Sequence, residues 1–119
     1  MIVSENYPYV QVRLSVREQQ FEVQAYIDTG FDGYVIVPDW YGLMLGLGDY
    51  VSRWRLGDGS EVEAEDYLGT AEIVGLPMAI PARISCLGNE FMIGRGIIDH
   101  FRVTFNRGQT IEVEDGRGS

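Results

Sequence analysis

The feature that most constrains this chain is a strict alternation of apolar and polar residues near its N-terminus. Apolar residues occupy every second position from Val10 to Val16, and again from Phe21 to Ile27. A period of two residues is typical of a β-strand that buries one face. Residues 18–20 between the two runs are few enough for a hairpin turn. The sequence therefore predicts two antiparallel strands, the second ending at Asp28.

The rest of the chain also favours short strands. Residues 34–37 are continuously apolar and are closed by Pro38, which is typical of a strand buried on both faces. Gly57-Asp58-Gly59 is a strong hairpin signal between residues 51–56 and the residues from Ser60 onward. The remaining strand predictions are residues 70–74, 78–85, 103–106 and 110–114. Residues 39–50 are predicted to form a loop with one helical turn, and residues 94–101 a short helix. We therefore expect one all-β domain over residues 1–119.

The composition limits the classes of partner. The chain has 18 Asp and Glu residues against 9 basic residues, and its net charge is −9. A negative field repels phosphate backbones and anionic lipids, so neither nucleic acid nor a membrane is an expected partner. No signal-like or membrane-spanning run is present, and we expect a cytoplasmic protein. One cysteine and one histidine, Cys86 and His100, cannot form a disulfide or a zinc site, so no metal or cofactor is expected.

Asp28-Thr29-Gly30 stands where the second predicted strand ends. A carboxylate between buried strands is costly unless it is paired or used. Taken alone, the triplet fits a turn in which Asp28 accepts hydrogen bonds from nearby N–H groups. The run DTGFDG also imitates the start of a calcium loop, but the third position is glycine, the twelfth is Asp39, and strands are predicted on both sides in place of helices.

Two further motifs follow the triplet in order. The Gly57-Asp58-Gly59 hairpin comes next, and the run FMIGRGII covers residues 91–98. This order resembles the retroviral-type, or retropepsin-like, aspartic proteases, in particular small bacterial proteins that carry DTGF(S/N/D)GY. The resemblance extends from Tyr9 to Val113. It implies an acid-protease barrel, closed or partly open, with one short C-terminal helix, that works as a homodimer in which the chain termini contribute to the interface.

The resemblance implies a role for each matched residue. Asp28 would be the catalytic carboxylate, the Thr29 hydroxyl would brace the loop, and Gly30 would let two such loops approach closely. Phe31 would flank the pockets beside the scissile bond, where the viral enzymes mostly have a small residue. Asp32 would bind the substrate backbone.

The other two motifs receive supporting roles from the same resemblance. Gly57, Asp58 and Gly59 would form the tip of a flap over bound peptide. Gly94 would pack beneath the catalytic loop, and Arg95 would form a partly buried ion pair with Asp32; alternatively, these two are solvated surface charges. Gly96 stands where the viral proteins have Asn or Asp.

The expected activity is peptide-bond hydrolysis by two carboxylates. Two carboxylates about 3 Å apart share one proton, and the pair then supplies both a general base and a general acid. The chain has one Asp-Thr-Gly, so the second carboxylate would come from a second copy on a twofold axis. The alternative is a peptide-binding or dimerisation module on the same fold, and a further one is a domain of a larger protein. A Cys86–His100 nucleophilic pair is a weaker interpretation, because Cys86 reads as a buried apolar residue.

Overall fold

The computed structural model describes residues 1–116 and is built mainly from β-strands. The strands are β1 (Ile2–Ser4), β2 (Tyr9–Val16), β3 (Gln19–Ile27), β4 (Val35–Val37), β5 (Tyr50–Arg55), β6 (Glu61–Ile73), β7 (Ile80–Cys86), β8 (Met92–Ile93), β9 (Phe101–Asn106) and β10 (Thr110–Asp115). A 3-10 turn at Asp39–Tyr41 leads into α1 (Gly42–Leu45), and α2 covers Arg95–Ile98. The all-β prediction is confirmed. Among residues 1–116, no helix has the length and apolar character needed to cross a membrane.

The larger sheet closes into a barrel. Its strand order is β2-β3-β8-β4-β7-β6-β5, and β6 also pairs with β2. The β2–β6 pairing joins the two ends of the six-strand run from β2 to β6, while β5 remains outside the ring as a partner of β6 alone. A separate three-stranded sheet, in the order β1-β10-β9, pairs the two ends of the chain with each other.

The predicted N-terminal hairpin is confirmed, with a shorter turn than expected. Val16 pairs with Gln19, so the turn consists of Arg17 and Glu18, and Arg17 adopts a φ of 56°. The alternating apolar residues of β2 face the barrel interior and are almost fully buried; they are Val10, Val12, Leu14 and Val16. Burial of such side chains contributes about 1.5–3 kcal/mol each.

Strand β4 is buried as its composition predicts. It lies between β7, to which it is parallel, and β8, to which it is antiparallel. All three of its residues are buried, so a polar side chain would meet no solvent on either face. Residues 39–50 contain the one predicted helical turn, α1, but a 3-10 turn precedes it and Tyr50 already begins β5.

Strand β6 corrects one sequence prediction. Residues 70–74 do not form a separate strand, because β6 continues without interruption from Glu61 to Ile73. Gly69 lies in its middle, and a Cβ at this position would be 2.2 Å from the backbone oxygen of Ser15 on β2. The glycine therefore permits the close approach of β2 and β6 that completes the barrel, and does not break the strand.

The C-terminal helix is shorter than its pattern predicts. Helix α2 has only four residues, and Phe101, the last residue of the predicted helix, already begins β9. Strand β7 begins two residues later than predicted, at Ile80. Strands β1 and β8 were not predicted, because two or three residues are too few to show a period.

Candidate active site

Asp28 is the first residue after β3, on a loop that we define as residues 28–34. Its backbone N–H donates a hydrogen bond to the carbonyl of Ile93 on β8, at 3.0 Å. Its Oδ1 accepts a hydrogen bond from the backbone N–H of Gly30, at 2.9 Å. The side chain is half-buried, whereas Thr29 and Gly30 are exposed. The turn therefore fixes the orientation of the carboxylate and leaves the tip of the loop open to solvent.

The segment after β8 holds loop 28–34 from below. Three successive N–H groups donate to carbonyls of the loop: Gly94 to Tyr34 at 2.9 Å, Arg95 to Phe31 at 2.8 Å and Gly96 to Gly33 at 2.9 Å. Each bond joins two backbone groups, so the loop is positioned by the path of the chain and not by flexible side chains.

Two glycines are required for this contact. A Cβ at Gly94 would lie 2.5 Å from the carbonyl oxygen of Phe31, and one at Gly96 would lie 2.9 Å from the carbonyl oxygen of Gly33. Gly96 also faces the ring of Tyr34, where an added Cβ would lie 2.7 Å from a ring carbon. The glycine at position 96 therefore has a packing reason in this chain, because the Tyr34 ring occupies the space of a side chain.

The β5–β6 hairpin ends in an exposed turn at residues 56–60. Leu56 donates to the carbonyl of Ser60 at 2.8 Å, and Gly59, with a φ of 88°, donates to the carbonyl of Leu56 at 2.9 Å. Asp58 Oδ1 accepts from both the hydroxyl of Ser60, at 2.6 Å, and its N–H, at 2.9 Å. These hydrogen bonds lower the pKa of Asp58, the hydroxyl of Ser60 having the largest effect. In the structure Asp58 thus stabilises its own turn.

A cavity lies between loop 28–34 and this hairpin. Its volume is about 230 Å³. Phe31 of the loop and Trp54 of β5 both line the cavity, and their ring centroids are 5.7 Å apart. The other lining residues are Gly33, Tyr34, Val35, Ser52, Arg53, Asp66, Arg83 and Ser85. The structure therefore brings the hairpin beside the loop that carries Asp28.

Asp66 is the residue of this region that the sequence interpretation missed. It is 0% exposed, and its Oδ1 accepts a hydrogen bond from the hydroxyl of Ser52 at 2.8 Å. Its other oxygen, Oδ2, lies 3.6 Å from Nε of Arg83 and has no hydrogen-bond partner among the described residues. The available signal was its register, because Val62, Ala64 and Asp66 share one face of the strand while Glu61, Glu63 and Glu65 share the other.

Asp32 and Arg95 do not form the partly buried ion pair expected from the resemblance. Both residues are exposed, and no salt bridge joins them within residues 1–116. Arg95 supports the loop through its backbone N–H, which leaves its side chain at the surface. In this single chain, therefore, the two charges are solvated.

Cys86 and His100 play no joint role in the structure. Cys86 is buried, and burial raises the pKa of its thiol to about 11, so the thiolate needed for nucleophilic attack is disfavoured. His100 is exposed just before β9. Within the part of the chain that the structure describes, no cluster of three or more His, Cys, Asp or Glu residues could hold a metal ion.

Comparison with solved structures identifies the fold. A crystal structure of a retropepsin-like aspartic protease from Rickettsia conorii matches with a TM-score of 0.60 and 13% identity, over 94% of this chain and 88% of that one. The solution structure of the simian foamy virus (mac) protease matches with a TM-score of 0.53 and 13% identity, over 76% of this chain and 91% of that one. The fold is retropepsin-like. Neither protein-family profiles nor curated protein sequences give a match.

The retropepsin-like fold confirms the barrel that the ordered motifs predicted. It also gives the site a context, because Asp28, the hairpin and the segment 94–96 all lie in a chain whose solved structural neighbours are aspartic proteases. At 13% identity the likeness concerns the fold, and the chemistry has to be argued from the residues themselves.

Proposed function

We propose that residues 1–119 form a single aspartic endopeptidase domain that acts as a homodimer, with one Asp28 from each chain in a shared site. The observation that supports this most directly is the placement of Asp28. It is a half-buried carboxylate on an exposed loop tip, and the loop itself is held by backbone hydrogen bonds to residues 93–96. Such a group is fixed in position and is accessible to a second copy of the chain.

The need for a second copy follows from the chemistry. Hydrolysis without a metal requires one group that accepts a proton from water and another that donates one to the peptide carbonyl. A pair of carboxylates about 3 Å apart meets both needs because they share one proton. Gly30 has no side chain to separate two loops, and an added Cβ there would lie 3.3 Å from Asp28 Oδ1. Thr29 is adjacent and would brace the paired loops.

The reaction would proceed in two stages, addition of water and cleavage of the C–N bond. The ionised Asp28 takes a proton from a water molecule as the water oxygen attacks the carbonyl carbon, while the protonated Asp28 of the second chain donates its proton to the carbonyl oxygen. In the second stage the tetrahedral intermediate collapses and the C–N bond breaks: the protonated carboxyl group donates its proton to the leaving amine, and the ionised carboxylate takes a proton from one hydroxyl of the intermediate, which restores the shared proton of the pair. The dyad titrates as one unit, with two apparent pKa values that belong to both residues.

The substrate would be an extended peptide between the barrel and the β5–β6 hairpin. Strand-like binding uses backbone hydrogen bonds for affinity and side-chain pockets for selection. Asp32 and the hairpin tip, Gly57 to Gly59, would contact the peptide from opposite sides, and the hairpin would act as a flap. With a net charge of −9, nucleic acid and anionic membranes remain poor partners for such a cleft. We propose that the activity is cytoplasmic and that it needs no cofactor.

The test is cleavage of an unbiased peptide mixture by the wild-type protein and by Asp28→Asn, read by mass spectrometry from about pH 3.5 to 7. Sedimentation at the same protein concentrations reports the dimer. Cuts at specific bonds that disappear in the variant support the protease. If neither protein cuts while both are dimeric, the protease is wrong and a peptide-binding or dimerisation module takes its place.

A further inference from the structure

The cavity beside loop 28–34 contains a connected chain of polar groups. The indole Nε1–H of Trp54 donates to Ser52 Oγ at 2.7 Å, and the Ser52 hydroxyl donates to Asp66 Oδ1 at 2.8 Å. A serine hydroxyl has one proton and two lone pairs, so donation to Asp66 leaves its oxygen as the acceptor for Trp54. We call this the Asp66–Ser52–Trp54 chain.

The buried end of this chain is fixed. Asp66 is 0% exposed, and its second oxygen lies 3.6 Å from Nε of Arg83, which supplies an opposite charge. The Arg83 guanidinium in turn lies over the ring of Tyr50, 5.4 Å from its centroid. A buried carboxylate is retained only where charge and hydrogen bonding compensate its desolvation. Asp66 is therefore an anchor from which the hydrogen bonds run outward.

The exposed end of the chain determines where one aromatic ring lies. Trp54 is on β5, the outermost strand, and it is only half-buried, so packing alone holds it weakly. Its N–H is tied to Ser52, and its ring faces Phe31, three residues beyond Asp28. Together with Val35, these two rings give the cavity apolar walls. The N–H of Trp54 and the hydroxyl of Ser52 are already used, so these walls present carbon to a ligand.

We propose that Asp66 and Ser52 are positioning residues that hold Trp54 as one wall of a subsite for a large apolar substrate side chain. The inference rests on the proposed function, since it assigns a selectivity to the same cleft. Neither residue touches the reacting atoms. Their effect is on which peptides bind, through the position of the Trp54 ring.

Binding of uncleaved peptides tests the inference apart from catalysis. All proteins carry Asp28→Asn to prevent turnover and Trp40→Phe so that Trp54 is the sole tryptophan. The ligands are extended peptides in which each position in turn is Leu or Ala. We expect a Leu preference of roughly tenfold or more at one position, a size typical of apolar pockets. Ser52→Ala should reduce that preference to about threefold or less and shift Trp54 emission to longer wavelength.

Matched variants separate positioning from general damage. Ser52→Thr keeps the hydroxyl and should restore both the Leu preference and the emission. Asp66→Asn keeps an acceptor oxygen for Ser52 and should retain most of both. Ser15→Ala removes a hydroxyl from β2, away from the cavity, and should change neither.

The outcomes are decisive in each direction. An unchanged Leu preference in Ser52→Ala overturns the inference, even if Trp54 emission shifts. The Asp66–Ser52–Trp54 chain would then have only a structural role. Absence of any Leu preference in the parent protein, or of any peptide binding, overturns it as well. Cleavage by the protein with Asp28 intact is scored separately. If that protein makes no cuts, the proposed protease function is wrong, but the ratio of Leu to Ala peptide binding still decides the role of Ser52.

Discussion

Loop 28–34 and the tip of the β5–β6 hairpin are held in different ways, although the loop and strand β5 of that hairpin line the same cavity. The loop is joined by backbone hydrogen bonds to residues 93–96, which are distant in sequence. The hairpin tip at residues 56–60 is held by hydrogen bonds among its own residues and is exposed throughout. In the proposed function, loop 28–34 is the fixed floor of the cleft and carries the catalytic group, whereas the hairpin tip would be the more mobile of the two regions because its hydrogen bonds are local and exposed.

The largest expected difference is in catalytic rate, when the carboxylate of each region, Asp28 or Asp58, is replaced by an amide. Asp28→Asn should lower kcat by roughly 10²–10⁴-fold, because it removes a proton-transfer group. Asp58→Asn alters only the hairpin turn and should change kcat/KM by less than about tenfold, since the lost interactions are exposed ones. Steady-state assays on one peptide check both. Equal losses in the two variants would contradict the assignment of chemistry to the floor.

The second expected difference is in the free energy of unfolding, when a glycine beneath the loop or a glycine of the hairpin tip is replaced by alanine. Gly94→Ala forces a Cβ to within 2.5 Å of the Phe31 carbonyl oxygen, and we expect a loss of about 1–3 kcal/mol in the free energy of unfolding. Gly57→Ala meets no atom within 4 Å and should stay within about 1 kcal/mol of the wild type.

Urea unfolding at a fixed protein concentration measures both glycine variants, because association would otherwise change the apparent stability. If the Gly57 variant lost as much stability as the Gly94 variant, the hairpin tip would be packed as tightly as the floor. The difference between the two regions would then disappear.

The smallest effect concerns the charge of the hairpin tip. Hydrogen bonds from Ser60 lower the pKa of Asp58, so their stabilising effect is present above the unfolded-state pKa and is lost as pH falls through the folded-state value. Ser60→Ala should raise the pKa of Asp58 toward its ordinary value, as measured by carbon-detected NMR titration. Ser15→Ala serves as the control and should leave it unchanged. An identical Asp58 pKa in the Ser60 variant would show that the tip is not ordered by these bonds.

The sequence predicts most of the barrel because its strands carry a clear period. Residues 10–16 and 21–27 alternate, and residues 34–37 are apolar throughout, so burial on one face or on both could be inferred. Strand β8 escaped prediction, since Met92 and Ile93 alone show no period. The predicted strand 70–74 is part of the longer β6, in which Gly69 is explained by a contact with Ser15 that only the closed barrel creates.

The candidate site was predicted only in part, because the sequence shows motifs along the chain but not contacts between strands. Asp28 and Gly94 belong to motifs with a fixed order along the chain, which a sequence displays directly. The Asp66–Ser52–Trp54 chain joins residues of two strands across a hairpin, and a lone acid in an alternating run gives no sign of its partners. The Asp32–Arg95 pairing failed because both side chains face solvent, although the backbones of Phe31 and Arg95 are hydrogen-bonded.

The insertion of β8 between β3 and β4 affects the order in which the protein folds during its synthesis. Strand β3 is followed directly by loop 28–34, yet its neighbour in the sheet is Met92–Ile93, which is synthesised much later. Pairings between segments so far apart form slowly, because the intervening chain has to be closed first. During translation, Asp28 therefore leaves the ribosome well before the strand that positions it. If the proposed function holds, a growing chain would have no assembled site, and hence no means to cut nearby peptides, before residues 92–96 have been synthesised.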